Sequence, residues 1–345
     1  MSKTVYVVGA GASKEANLPI GSELKGDIAK LLDFKTTGFF VSELESGDPV
    51  IWDALKIHIK GKDRNAYRIA ANQIRDAMPL ASSIDNFIDS HRDDKKIELC
   101  GKLAIVRSIL HAEKKSLLYF EKSNVFNSIN FDSLVNTWYL SFFRLITENC
   151  NTDDLEARFK SITLIIFNYD RCIEHFIYCA LKKYYPLSDV EAANLVKEIT
   201  IFHPYGIVGT LPWIDNNGAI DFGADPAAPN LLELSMKIKT FTESTDAGSS
   251  EIVEIRKKMN LVSRLVFLGF AFHELNMQLI TPEHVDAKTR EINCFATTNN
   301  MSESNKTFIE GQINNLYHAN YIVYTKMSNS TCGQFFSEFW KSLAF

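Results

Sequence analysis

The chain lacks a C-x-x-C pair, a long apolar run and an excess of basic charge. Its six cysteines (Cys100, Cys150, Cys172, Cys179, Cys294 and Cys332) are scattered singly. That spacing excludes a zinc ribbon and a disulfide framework. Lone cysteines in a chain of this size read as small buried apolar residues of a reducing compartment. No segment approaches the roughly 20 apolar residues of a membrane helix. The first apolar run, Val5 to Val8, is too short for a signal peptide and ends in glycine. A cytoplasmic protein with no membrane partner is therefore expected. The formal net charge is −5, so the basic footprint of a nucleic-acid binder is missing and no direct nucleic-acid contact is expected.

What is present is ordinary globular material. With 345 residues and 46% hydrophobic content, the chain can bury a sizeable core as one large or two ordinary domains. Thr4 to Val8 has no polar alternation, the pattern of a strand buried on both faces. It runs into Gly9-Ala10-Gly11-Ala12-Ser13, and a helix is expected after Pro19 with Ser22 as its cap. From 36 to 158 the apolar residues recur every three or four positions, as in Leu134, Trp138, Phe142 and Leu145. This stretch reads as a mostly helical insertion. Strand runs return at Ile162 to Phe167, Ile199 to Phe202, Leu265 to Leu268, Ile292 to Ala296 and Tyr321 to Tyr324. Ser188-x-x-Glu191 is a capping box. Pro212 to Pro229 is loop-rich, and a flexible piece is expected near Ser244 to Ser250. Six buried strands in a mostly βα alternation predict a doubly wound, mostly parallel Rossmann-like sheet. The core would be 1–35 with 159–345, and the insertion 36–158.

Four motifs fall at strand ends, where open α/β sheets collect ligand-contacting residues. Gly9-x-Gly11 is suited to close backbone approach to a pyrophosphate, and equally to a tight turn. The G-x-G-x-x-G dehydrogenase pattern fails because Lys14 stands at its third glycine. Asn168, in Phe167-Asn168-Tyr169-Asp170, can hold a ribose hydroxyl and a water through its amide, or close an Asx turn. His203 precedes Pro204-Tyr205-Gly206, and Gly269-Phe270-Ala271-Phe272 ends a later strand. Taken singly, each also fits a purely structural role.

In this order the four motifs resemble the sirtuin superfamily, most of all its prokaryotic sirtuin-like branch of anti-phage defence. The resemblance covers about 3–30 and 160–325; Ser83-Ile84-Asp85-Asn86-Phe87 is similar to a further short motif of that branch, and equally to a helix start. It implies NAD as the substrate bound, with Gly9, Ala10, Gly11 and Ser13 at the phosphates and ribose. Asn168 and Asp170 would sit near the nicotinamide ribose, and Gly269 would border the adenosine half. Ala12, Pro19, Tyr205, Gly206 and Phe270 complete the implied binding set. His203 would be the general base or would position the ribose. The chain departs from sirtuin deacetylases in three places. No cysteine occurs between Gly206 and Arg264, so no structural zinc is expected. Ile20-Gly21-Ser22 replaces their Asp-Phe-Arg segment, and Tyr205, not histidine, precedes Gly206.

The expected activity is hydrolysis of the nicotinamide–ribose bond without a metal, with control by homo-oligomerisation or by a partner such as a ring ATPase or an Argonaute-like protein. A non-hydrolytic NAD or ADP-ribose sensor, a lysine deacylase, a dehydrogenase and a structural subunit are the rival readings. Cyclisation of NAD is a further outcome that the residues leave open.

Overall fold

The computed structural model describes residues 3–37, 43–59, 63–124, 126–216, 218–239, 243, 249–282, 290–317 and 321–345. Most of the expected flexible piece, 244–248, lies outside them.

The molecule is α/β. Six strands form one all-parallel sheet: β1 (Thr4–Gly9), β4 (Ile162–Phe167), β5 (Thr200–Phe202), β6 (Arg264–Leu268), β7 (Arg290–Thr297) and β8 (Tyr321–Ser328). Their order is β5-β4-β1-β6-β7-β8. Counted among themselves in chain order they run 3-2-1-4-5-6, the order of dinucleotide-binding doubly wound sheets. The chain first winds outward from β1 through β4 to β5, then returns to the other side of β1 at β6. The sheet's switch point thus lies between β1 and β6.

The absence of polar alternation in the central strands has a direct cause, because both faces are covered. Val5 and Val7 point to one side with Ile165, Phe167, Leu265 and Phe267. Tyr6 and Val8 point to the other with Leu164, Ile166, Val266 and Leu268. Each such side chain contributes about 1.5–3 kcal/mol when taken from water. After the one-turn helix α1 (Ala10–Ser13), the core on the first side continues into helices α2 (Gly21–Leu31), α3 (Pro49–Ile59), α4 (Arg64–Ala77), α5 (Ile84–Ser90) and α6 (Lys95–Lys115). On the second it continues into α7 (Trp138–Thr147), α8 (Leu155–Lys160), α9 (Cys172–Tyr184), α10 (Asp189–Glu198) and the helix Cys332–Leu343. The helices of 36–158 therefore serve both faces. Tyr6 of β1 meets Phe142 of α7 edge-on at 5.1 Å.

Local differences from the pattern have local causes. Helix α2 starts at Gly21, before Ser22, because the Glu23 carboxylate takes the Ile20 N–H at 3.1 Å. The expected Ser188 capping box forms and starts α10. The border of core and insertion carries a short antiparallel pair, β2 (Lys35–Thr37) and β3 (Glu43–Ser46), too brief to leave a period of its own. Of the cysteines, five are buried and Cys179 is half-buried; all are free. Among the described residues no helix is long and apolar enough to cross a membrane.

Candidate functional site

The carboxyl ends of β1, β4, β5 and β6 carry the four motifs, and the parallel sheet places them at one end of the molecule. At the centre, Gly9 and Gly11 lie against Gly269. The Gly11 N–H donates to the Gly269 carbonyl at 3.0 Å. A Cβ on Gly9 would stand 2.5 Å from the Gly269 carbonyl oxygen, and one on Gly11 2.8 Å from it. Gly269 has φ +54, and a Cβ there would stand 2.1 Å from the Ala12 nitrogen. Here the close approach that glycine permits is made between two loops of the chain itself. Ala10 and Gly11 are half-buried and Ala12 is buried. Ala12 gives its carbonyl to Trp138 Nε1 at 3.0 Å.

Beside this junction lies a buried polar cluster. Ser13 Oγ donates to Asp170 Oδ2 at 2.7 Å, and Asn168 Nδ2 donates to Ser13 Oγ at 3.2 Å. The Asn168 amide also donates to Asp170 Oδ2. The Cys172 N–H reaches Asp170 Oδ1 at 3.0 Å. The Asn168 side-chain oxygen accepts the Tyr169 N–H at 2.9 Å, one residue on, so the Asx-type turn expected at Asn168 is made instead at Asp170, whose carboxylate accepts the Cys172 N–H two residues on. Ser13, Asn168 and Asp170 are 3%, 6% and 3% exposed, so the cluster is closed to solvent. No cation stands among the groups bonded to Asp170. Burial pushes its carboxyl above the usual range, and the bonds from Ser13 and Cys172 hold it part of the way down.

His203 stands behind Asn168. Its Nε2 is 2.6 Å from Glu174 Oε1 on α9, and its Nδ1 faces the Asn168 carbonyl at 3.4 Å. Burial draws this imidazole down, but the Glu174 carboxylate outweighs it and the net shift is upward. Glu174 Oε2 is buried without a partner among the described residues. Tyr205 points elsewhere. Its ring packs on Phe167 at 5.7 Å and its hydroxyl donates to Asn276 Oδ1. Phe270 joins the same aromatic group, 5.3 Å from Phe167. Gly206, at φ +75, closes a turn through its N–H to the His203 carbonyl at 2.8 Å. Pro19 lines a separate cavity of about 440 Å³ between α2 and α6. The structure thus unites Ser13, Asn168 and Asp170, sets His203 behind them, and turns Tyr205 and Pro19 to other neighbours.

Two partners were not evident from the motifs. Glu174 sits in the first turn of α9, one position after Ile173 among the mostly apolar residues that this helix buries. Arg171, directly after the Asn168 motif, is 1% exposed and meets the fully buried Glu113 of α6. The short motif of α5 forms the expected helix start. Ser83 caps the helix by accepting the Asn86 N–H at 3.0 Å, and Asp85 accepts the Tyr169 hydroxyl. Among the described residues no group of three or more His, Cys, Asp or Glu stands ready to hold a metal. Compared with known proteins, the chain matches no family model and no curated protein.

Proposed function

We propose that the chain is an NAD glycohydrolase, cleaving the nicotinamide–ribose bond to nicotinamide and ADP-ribose, and that it depletes NAD in anti-phage defence. The observation that carries this reading is the buried Ser13–Asn168–Asp170 cluster beside the sheet's switch point. It is a set of neutral donors around one carboxylate, in the place where doubly wound folds hold dinucleotides. The scissile bond suits such a set. Its leaving group is a pyridinium, so the C–N electron pair returns to the ring nitrogen and neutral nicotinamide departs without a strong acid. The ribose carbon becomes oxocarbenium-like, and the Asp170 carboxylate is placed to stabilise that charge. Water then bonds to the carbon and gives its proton to Asp170, whose raised affinity for protons fits it as acceptor. Asn168 orients the ribose hydroxyl and the water.

His203 is better suited to positioning than to general base. Both of its ring nitrogens face oxygen acceptors, so neither is turned to a water or a ribose hydroxyl from which it would take a proton. It holds the Asn168 carbonyl, and through it the amide.

The closed cluster fits an enzyme that is silent at rest. Substrate reaches these buried residues only when their surroundings move. Homo-oligomerisation, or a partner such as a ring ATPase or an Argonaute-like protein, would supply the movement. The same closure also favours a second reading, a sensor that binds NAD or ADP-ribose without turnover.

The test is incubation of the protein with NAD, following nicotinamide and ADP-ribose by chromatography beside Asn168→Ala. Release that falls about 100-fold or more in the variant supports the hydrolase. Equal release by both proteins would sink it, and NAD binding without release under activating oligomeric conditions would establish the sensor.

A further inference from the structure

A cavity of about 940 Å³ lies away from this site. It lies between α9 and α10, closed by the segments around 120–131 and 211–216. Tyr178 and Trp213 form an aromatic wall, stacked at 4.5 Å with 6° between their planes. Four lysines, Lys122, Lys182, Lys183 and Lys197, line it against one lining acid, Asp189. In a chain of net charge −5 this is a local reversal of sign. Lys182 is paired with Asp189 at 2.5 Å and stands 5.0 Å over the Tyr178 ring; Lys122 is paired with Asp221. Lys183 and Lys197 have no acidic partner among the described residues. His175 in the same wall adds no charge, because burial holds it at about 3. Trp213 Nε1–H is buried without an acceptor among the described residues.

We infer that this cavity is a binding site for a nucleoside phosphate, distinct from the Ser13–Asn168–Asp170 site. The volume lies in the range of small-molecule sites. The unpaired Lys183 and Lys197 supply the charge that a phosphate needs, and the aromatic wall supplies a face for a base. An acidic peptide would use the lysines alone and leave the aromatic wall unanswered. The cavity has a mechanical link to the first site. Helix α9 carries Glu174, which holds His203, in its first turn, and presents His175, Tyr178, Cys179 and Lys182 to the cavity along one face. The inference does not depend on NAD hydrolysis and stands or falls separately.

The test is titration of the full-length protein with ADP by calorimetry, beside Lys183→Glu/Lys197→Glu and Asn168→Ala, with adenosine, inorganic phosphate and a poly-glutamate peptide as further probes. Saturable one-to-one binding of ADP, weakened about tenfold or more by the double lysine variant and unchanged in Asn168→Ala, supports the site. Both lysines are exposed, and circular dichroism checks that the variant is folded. ADP binding that is lost in Asn168→Ala, that ignores the lysines, or that is absent at millimolar ADP overturns it. So does tighter binding of the poly-glutamate peptide than of ADP, which would make the cavity a peptide groove.

Discussion

Two buried carboxylates, Glu113 and Asp170, differ in what surrounds them. Glu113 of α6 is wholly buried and receives Arg171 Nε at 3.0 Å, Arg171 Nη2 at 2.5 Å and the Gly223 N–H at 2.9 Å. The remaining Arg171 donors go to the carbonyls of Gly209, Ile220 and Asp221. Charge and hydrogen-bonding capacity are both matched, and the pair ties the insertion to the loops beyond β5. Asp170, one residue before Arg171, receives hydrogen bonds only from neutral donors and forms no ion pair among the described residues. A matched buried charge fixes structure; an unmatched one, held at a strand end near a switch point, remains available for chemistry. Neighbouring residues of one turn have thus been divided between the two tasks.

The sharpest way to break the comparison is to unmatch the matched pair. Arg171→Met leaves Glu113 buried and alone, and should cost about 3–5 kcal/mol, read as a lowered denaturant midpoint. Glu113→Leu added to it should recover much of that loss. The converse is Asp170→Asn. Burial raises the folded pKa of Asp170 above its ordinary 3.8. A raised folded value means that stability is highest below the unfolded pKa and is lost as pH climbs through the folded one. Asp170→Asn should therefore match the parent near pH 3 and equal or exceed its stability at neutral pH, while NAD cleavage falls. A variant less stable at neutral pH than the parent would place Asp170 with Glu113.

The smallest effect concerns Glu174 and His203. The His203 pKa is raised in the fold, so the pair's stabilisation is complete below the unfolded value of about 6.5 and fades as pH rises past the folded one. Glu174→Gln should remove about 1–2 kcal/mol at acid pH and little at high pH, flattening the stability profile. If His203 acts through position, the same change should lower kcat more than it alters KM. An unchanged profile would separate the two residues.

How much of this was legible in the sequence follows from the range of each interaction. The strands could be read because a strand covered on both faces has no polar position to spare, as in Val5 to Val8. Ser13, Asn168 and Asp170 could be placed together because strand ends of a parallel sheet share one edge. Glu113 and Arg171 could not be paired, since 58 residues separate them and a single long-range contact leaves no period. The partner of His203 was hidden for another reason. Glu174 lies within an inward helical face and looks from its spacing like an ordinary polar interruption. The start of α2 turned on one hydrogen bond, from the Ile20 N–H to the Glu23 carboxylate, which begins the helix two residues ahead of where a Ser22 cap would begin it.

The glycine junction of β1 and β6 has a consequence for anyone altering the chain. What a side chain on Gly9, Gly11 or Gly269 would meet is main chain, not another side chain. A clash between side chains can be relieved by trimming the partner; a clash with main chain has no such partner to trim. These positions therefore offer no compensating pairs. A library that varies them in combination gains nothing over one that varies them singly, and any redesign must carry the two loops across as a single piece.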